Sequence, residues 1–248
     1  MIKLERGKHP KELTEDVCKE LTELYMENKE NDVWNSPKIK KPLKDALLQM
    51  SHNKCAYCEC ILNEESKDVT IDHFLPKAEY QYRVVEWENL FPACLRCNRS
   101  KKDYTGKIVN PCKDIPKEYI AVSKENPFRL KGIDANHVGR NTITYIKLND
   151  IQRVMTKRMQ AWETIHFHLQ EILEDINEVG YKERFKIHFE TLMENCMPDS
   201  EYAAVKATNM LRDDCYMKIK AYFKENGKWS DKLEAYEEQI RHIALHMV

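Results

Sequence analysis

The chain has 248 residues, enough for one sizeable core or for a small catalytic module beside a helical one. Its 40 Lys and Arg against 41 Asp and Glu leave a formal net charge of -1, which argues against a protein that coats nucleic acid through overall positive charge. Any nucleic-acid contact must come from a local patch or a partner. The opening residues MIKLERGKHP contain no apolar signal core, and no apolar stretch of about 18 residues follows, so the expectation is a soluble, cytoplasmic protein without membrane contact. In that setting the nine cysteines read as reduced thiols and metal ligands rather than disulfides.

In chain order, residues 11–31 place Leu13, Val17, Leu21 and Leu24 three and four apart, which predicts a helix with one apolar stripe. Asn35-Ser36-Pro37 breaks the chain, and Pro42 opens a second helix over 43–51. From Cys55 to about Asp114 the pattern changes to short apolar runs: 69–75 (VTIDHFL) predicts a strand and 94–103 (CLRCNRSKKD) a helix. Pro116, Pro127, Gly132 and Gly139 mark a loop-rich connector, with a strand expected at 142–148 (TITYIKL). Asn149 or Asp150 caps a long helix over 150–178, with apolar positions at Ile151, Val154, Ile165, Leu169, Ile172 and Ile176. Further helices are expected at 181–195, 199–225 and 229–247. The reading is an α+β chain, mostly α: an N-terminal helical segment (1–52), a chemical module (53–114), a connector with one strand (115–149) and a C-terminal helical domain (150–248) suited to partner docking.

Cys55-Ala56-Tyr57-Cys58 and Cys94-Leu95-Arg96-Cys97 are two CxxC pairs with 35 residues between them. A two-residue gap lets both thiolates of a pair turn to one ion, and two such turns close a tetrahedron around structural Zn²⁺. Neither pair opens a βαβ unit, which excludes a thioredoxin-like redox motif. Cys60 is close enough in sequence to compete as a ligand. Cys18, Cys112, Cys196 and Cys215 have no partner spacing and are expected to be buried small side chains.

Between the pairs lie Asp72-His73-Phe74-Leu75-Pro76 and Asn89-Leu90, and Asn98-Arg99-Ser100-Lys101-Lys102 follows the second pair directly. Here the sequence resembles the HNH endonuclease family over roughly Cys55 to Asp103. The resemblance implies a zinc-bound ββα-metal module that hydrolyses phosphodiester bonds in DNA. It assigns His73 as general base, Asp72 and Asn98 as ligands of a catalytic Mg²⁺ or Mn²⁺, and Asn89 as the residue that pins the loop between two short strands. The residue types suit the chemistry: a hard ion takes carboxylate and amide oxygens, and imidazole titrates near neutral pH. Many family members carry His where this chain has Asn98, a departure that favours Mg²⁺ or Mn²⁺ over softer ions.

Arg96, Arg99, Lys101, Lys102, Lys107 and Lys113 stand against Asp103 alone over 95–113, a patch suited to non-specific contact with the nucleic-acid backbone through Arg96, Arg99, Lys101 and Lys102 in particular. His166 and His168, two apart, face different directions on a helix and form no metal pair. His242 and His246 are four apart, and Arg241 to His246 also resembles the R-x4-H motif of HEPN-type ribonucleases, which supplies a second function class. A non-catalytic zinc ribbon is the third. Outside the module, Met1–Thr14, Asn110-Pro111-Cys112 and the Thr142–Asp150 junction resemble the HNH subunits of Septu-type and retron-associated antiphage operons, the PtuB-like nucleases. That likeness implies an ABC-class ATPase partner of the PtuA type, or a retron complex, that restrains the nuclease.

Overall fold

A computed structural model describes residues 1–62 and 69–248. Helix α1 (Glu15–Glu27) begins where the Thr14 hydroxyl accepts the Val17 amide at 3.3 Å, a side-chain N-cap. It buries Leu21 and Tyr25, while Leu24 turns to solvent, so the apolar face is rotated from the predicted stripe toward the aromatic ring. A single 3₁₀ turn (Val33–Asn35) carries Trp34, and α2 (Lys40–Met50) accepts Pro42 in its first turn, where a missing N–H costs nothing.

Strand β1 (Val69–His73) pairs antiparallel with β2 (Leu90–Cys94), placing His73 opposite Leu90 and Val69 opposite Cys94. Pro92 is tolerated in β2 because its carbonyl still works: it accepts the Ala56 amide at 2.9 Å. Helix α3 (Leu95–Lys101) starts without a loop, since the extended Cys94 turns its sulfur to the Cys97 amide as an N-cap. The result is a ββα unit.

The connector holds two strands rather than one, β3 (Ile120–Val122) and β4 (Leu130–Gly132), with β5 (His246–Met247) parallel to β3 on its other edge. The strand expected at 142–148 is instead part of helix α4 (Val138–Tyr145). Helical burial overrides β-branched propensity there: Val138, Thr142, Ile143 and Ile146 share the inner face. The Thr142 hydroxyl donates to the Val138 carbonyl and accepts the Val109 amide, both at 2.8 Å, and the Asp134 carboxylate takes the Val138 and Gly139 amides at 2.8 Å.

Asp150 caps a π-helical turn (Ile151–Met155) that leads into α5 (Thr156–Val179), whose Ile165, Leu169, Ile172 and Ile176 are buried as expected while Ile151 is exposed. Helix α6 (Glu183–Glu194) follows. The helix expected over 199–225 is two, α7 (Ala203–Met210) and α8 (Asp214–Glu225), because Asp213 caps the second by accepting the Tyr216 amide at 3.0 Å. Helix α9 (Asp231–Ile243) ends four residues earlier than expected, where Ala244 turns extended toward β5.

All eight residues of α7 are buried, so this short helix is the centre of the packing. One continuous apolar cluster runs from Leu4 through Leu43, Phe91, Val122 and Leu169 to Leu245, drawing on all four expected parts of the chain. Among the described residues no helix is long and apolar enough to cross a membrane. Gly139 lies so close to the Tyr119 carbonyl that a Cβ would stand 1.9 Å from its oxygen. Gly139→Ala is therefore expected to lower stability by about 2 kcal/mol or more, read as a fall in the thermal unfolding midpoint with zinc content unchanged.

Candidate active site

The four sulfurs of Cys55, Cys58, Cys94 and Cys97 lie within 4.8 Å of one another. Cys58 Sγ and Cys94 Sγ are 3.8 Å apart, too far for a disulfide. Thiolates at about 2.3 Å from one ion sit about 3.8 Å from each other along a tetrahedral edge, so the donor set fits Zn²⁺. The surroundings fit negative sulfur too: Arg153 Nη1 donates to Cys97 Sγ at 3.4 Å, and the fully buried Arg158 guanidinium faces the charges of Cys58, Glu59 and Cys97. Cys60 is outside this group and gives its carbonyl to the Cys55 amide at 2.9 Å, closing the knuckle turn. Of the other cysteines only Cys196 is fully buried; Cys18, Cys112 and Cys215 are half-buried, which corrects the expectation for those three.

Residues inside the knuckle do further work. Tyr57, in the gap of the first pair, is wholly buried and donates its hydroxyl to Asp72 Oδ2. Glu59 takes the Ala204 amide at 3.2 Å on its carboxylate and the Tyr202 amide at 3.1 Å on its carbonyl, which caps α7 from across the chain. Lys54 reaches the Ser200 carbonyl at 2.9 Å from the same turn.

At the end of β1, alternation sends Asp72 and His73 to opposite faces. His73 Nε2 lies 2.8 Å from the Val84 carbonyl, and Trp34 packs edge-on against the imidazole at a centroid distance of 4.7 Å. A carbonyl can only accept, so Nε2 carries the proton and Nδ1 keeps its lone pair. Burial, the largest influence, pushes the imidazole pKa down to about 4, against smaller upward pulls from the Val84 hydrogen bond and Asp72; the ring is neutral at pH 7.

Asn89 is buried and spans the loop after β1: its Oδ1 accepts the Leu75 amide at 2.7 Å, and its Nδ2 donates to the Leu75 and Arg83 carbonyls at 3.1 Å. Asn98 Nδ2 donates to Thr70 Oγ1 at 3.0 Å and to the Ile71 carbonyl at 3.4 Å, which commits the amide nitrogen, so that only the amide oxygen could serve as a ligand atom.

Arg96, Arg99, Lys102, Lys107 and Lys113 are exposed. Lys101 is not: its side chain is sealed, 3.2 Å from the Asp72 carboxylate, so in this arrangement it is unable to touch a nucleic-acid backbone as expected from sequence. Lys77, half-buried, lies over Trp34 at 4.1 Å and is a cation at the His73 rim that the sequence reading did not single out. Nothing in its local pattern marks it; Trp34 comes from 39 residues before His73.

The distal histidines go elsewhere. His166 pairs with Asp213 at 2.6 Å and His168 with Glu171 at 2.7 Å, in different directions as expected. Arg241 and His246 do not share a helix, because α9 stops at Ile243; Arg241 pairs with Glu237, and His246 lies on β5. The R-x4-H geometry of a HEPN site is absent.

A two-stranded hairpin and helix that carry Asp72, His73 and Asn98 against a four-thiol knuckle define an HNH endonuclease module, and the HNH endonuclease family model matches residues 55–104. The chain is thus a nuclease by class. Beyond the module it is 37% identical over 231 residues to Septu protein PtuB of Bacillus thuringiensis, covering 89% of this chain and 86% of that protein, and it belongs to the Septu PtuB family. A Septu protein PtuB of Bacillus mycoides (strain KBAB4) is 32% identical over 111 residues, covering 32% of this chain and 37% of its own. Protein ea31 of Escherichia phage lambda is 36% identical over 95 residues, 38% of this chain and 31% of that one.

Elemental analysis of the purified protein is expected to find about one zinc per chain. Cys94→Ser removes a ligand while keeping a side chain able to cap α3, so it is expected to yield a zinc-free protein without cooperative unfolding, given the roughly 10 kcal/mol or more that couples such a metal to folding.

Proposed function

We propose that this chain is the nuclease effector of a bacterial antiphage system, hydrolysing phosphodiester bonds in DNA under the control of an ABC-class ATPase of the PtuA type. The observation that carries the catalytic part is the fixed tautomer of His73: Nε2 is held by Val84, so Nδ1 is positioned as a proton acceptor. Asp72 and Asn98 supply hard oxygen donors for Mg²⁺ or Mn²⁺, which when bound neutralises charge on the phosphate and the leaving oxygen. His73 Nδ1 takes the proton of the attacking water, and the buried Asn89 holds the loop so that Val84 and the imidazole keep their distance.

Arg96, Arg99 and Lys102 on or beside α3 and Lys107 beyond it give the phosphates a sequence-independent anchor. Support for a partner comes from the family and from large apolar side chains exposed on the outer helices, Phe167 and Val179 on α5 and Ile187 on α6.

The test is plasmid cleavage with Mg²⁺ or Mn²⁺, with the ATPase added. His73→Ala is expected to lose roughly 10²–10⁴-fold in rate while keeping its fold and zinc. Equal cleavage by the variant in the assembled system means that the mechanism is wrong. For the anchor, Arg99→Ala with Lys102→Ala is expected to weaken binding of unrelated DNA sequences alike and to reduce the salt slope by about two. A loss confined to one sequence assigns these residues to base reading instead.

A further inference from the structure

The Asp72 carboxylate is already answered by a positive charge. Lys101 Nζ lies 3.2 Å from both of its oxygens and also donates to the His73 carbonyl, while Tyr57 donates to Oδ2. Three oxygens from two consecutive residues thus surround one ammonium, as they would a bound cation. Relative exposure of the two side chains is 0% for Lys101 and 3% for Asp72, so water does not screen the pair. Lys101 also stands three residues after Asn98, on the same face of α3. A divalent ion that takes Asp72 meets this ammonium at contact distance.

We propose that Lys101 is the resident cation at the Asp72 carboxylate: it holds that group in place, competes with the divalent ion for it, and swings out on its four-carbon stem when the ion binds. This rests on the reading of Asp72 as a ligand of the catalytic ion. Lys101 is a positioning residue here, and its effect is on ion affinity before any substrate is present. The ion's entry is then tied to a side-chain movement at the end of α3, next to the exposed Arg99 and Lys102 that meet the phosphates.

The experiment is Mn²⁺ titration by calorimetry of the zinc-loaded full chain without DNA, for the wild type, Lys101→Met and Asp72→Asn. Methionine keeps the buried stem and removes the charge, and Mn²⁺ affinity is expected to tighten about tenfold, the scale on which one adjacent charge shifts an ionic equilibrium. Asp72→Asn is expected to lose the binding. In parallel, amine-reactive labelling of the wild type is expected to find Lys101 protected without Mn²⁺ and modified at saturating Mn²⁺. If Lys101→Met binds no more tightly, or Lys101 stays protected with the ion bound, the resident-cation role is overturned while Asp72 remains a ligand. If Asp72→Asn binds Mn²⁺ as the wild type does, Asp72 is not a ligand, and this role falls with the ion site. Should Lys101→Met not fold, labelling of the wild type decides alone.

Discussion

The convergence of four sulfurs on one point is the constraint from which the other geometry follows. It brings a turn at residues 55–60 against a helix start at 94–97. Each segment then uses its remaining atoms. Cys94 ends β2 and caps α3; Tyr57 braces Asp72; Glu59 caps α7; Arg153, from the turn before α5, closes on Cys97. A zinc ion held by four thiolates would have no open position for chemistry and would serve to hold the frame within which Asp72 and Lys101 meet.

The hairpin divides labour by alternation. Asp72 faces α3 and the knuckle, a polar and charged interior, whereas His73 faces Trp34 and the Val84 carbonyl, an apolar wall with one acceptor. One residue step along an extended strand separates a carboxylate held beside a cation from an imidazole held neutral. Neither environment comes from the hairpin itself. Tyr57 belongs to the first cysteine pair, whereas Trp34 belongs to the segment between α1 and α2, outside the 50 residues that the family model matches, so the ring packed against His73 is supplied from beyond the module.

The HNH module and its four-cysteine cluster were legible because their signals are local: two CxxC pairs, Asp72-His73, and Asn98 directly after Cys97. Asn89, which the resemblance had singled out, makes its contacts with Leu75 and Arg83 across the loop after β1. What stayed hidden was set by tertiary packing. Thr142, Ile143 and Thr144 carry strand-forming side chains, yet the Val109 amide and the core claim one helical face of them. Asp213 divides a continuous apolar pattern by capping α8, which a periodicity count passes over. Lys101 looks like its exposed neighbours in a basic run, and only the strand packed against α3 shows that its ammonium is internal.

The cap that Glu59 places on Ala204 joins residues 145 apart in the chain. Contacts of that sequence separation are made late, after the entropy of closing a long loop has been met. During synthesis the cysteines, Asp72, His73 and Asn98 all emerge before the helix on which the knuckle rests, at a ribosomal rate of about 5–20 residues per second. For several seconds the emerging chain holds Asp72, His73 and Asn98 without α7, and the knuckle waits that long for the helix that Glu59 caps.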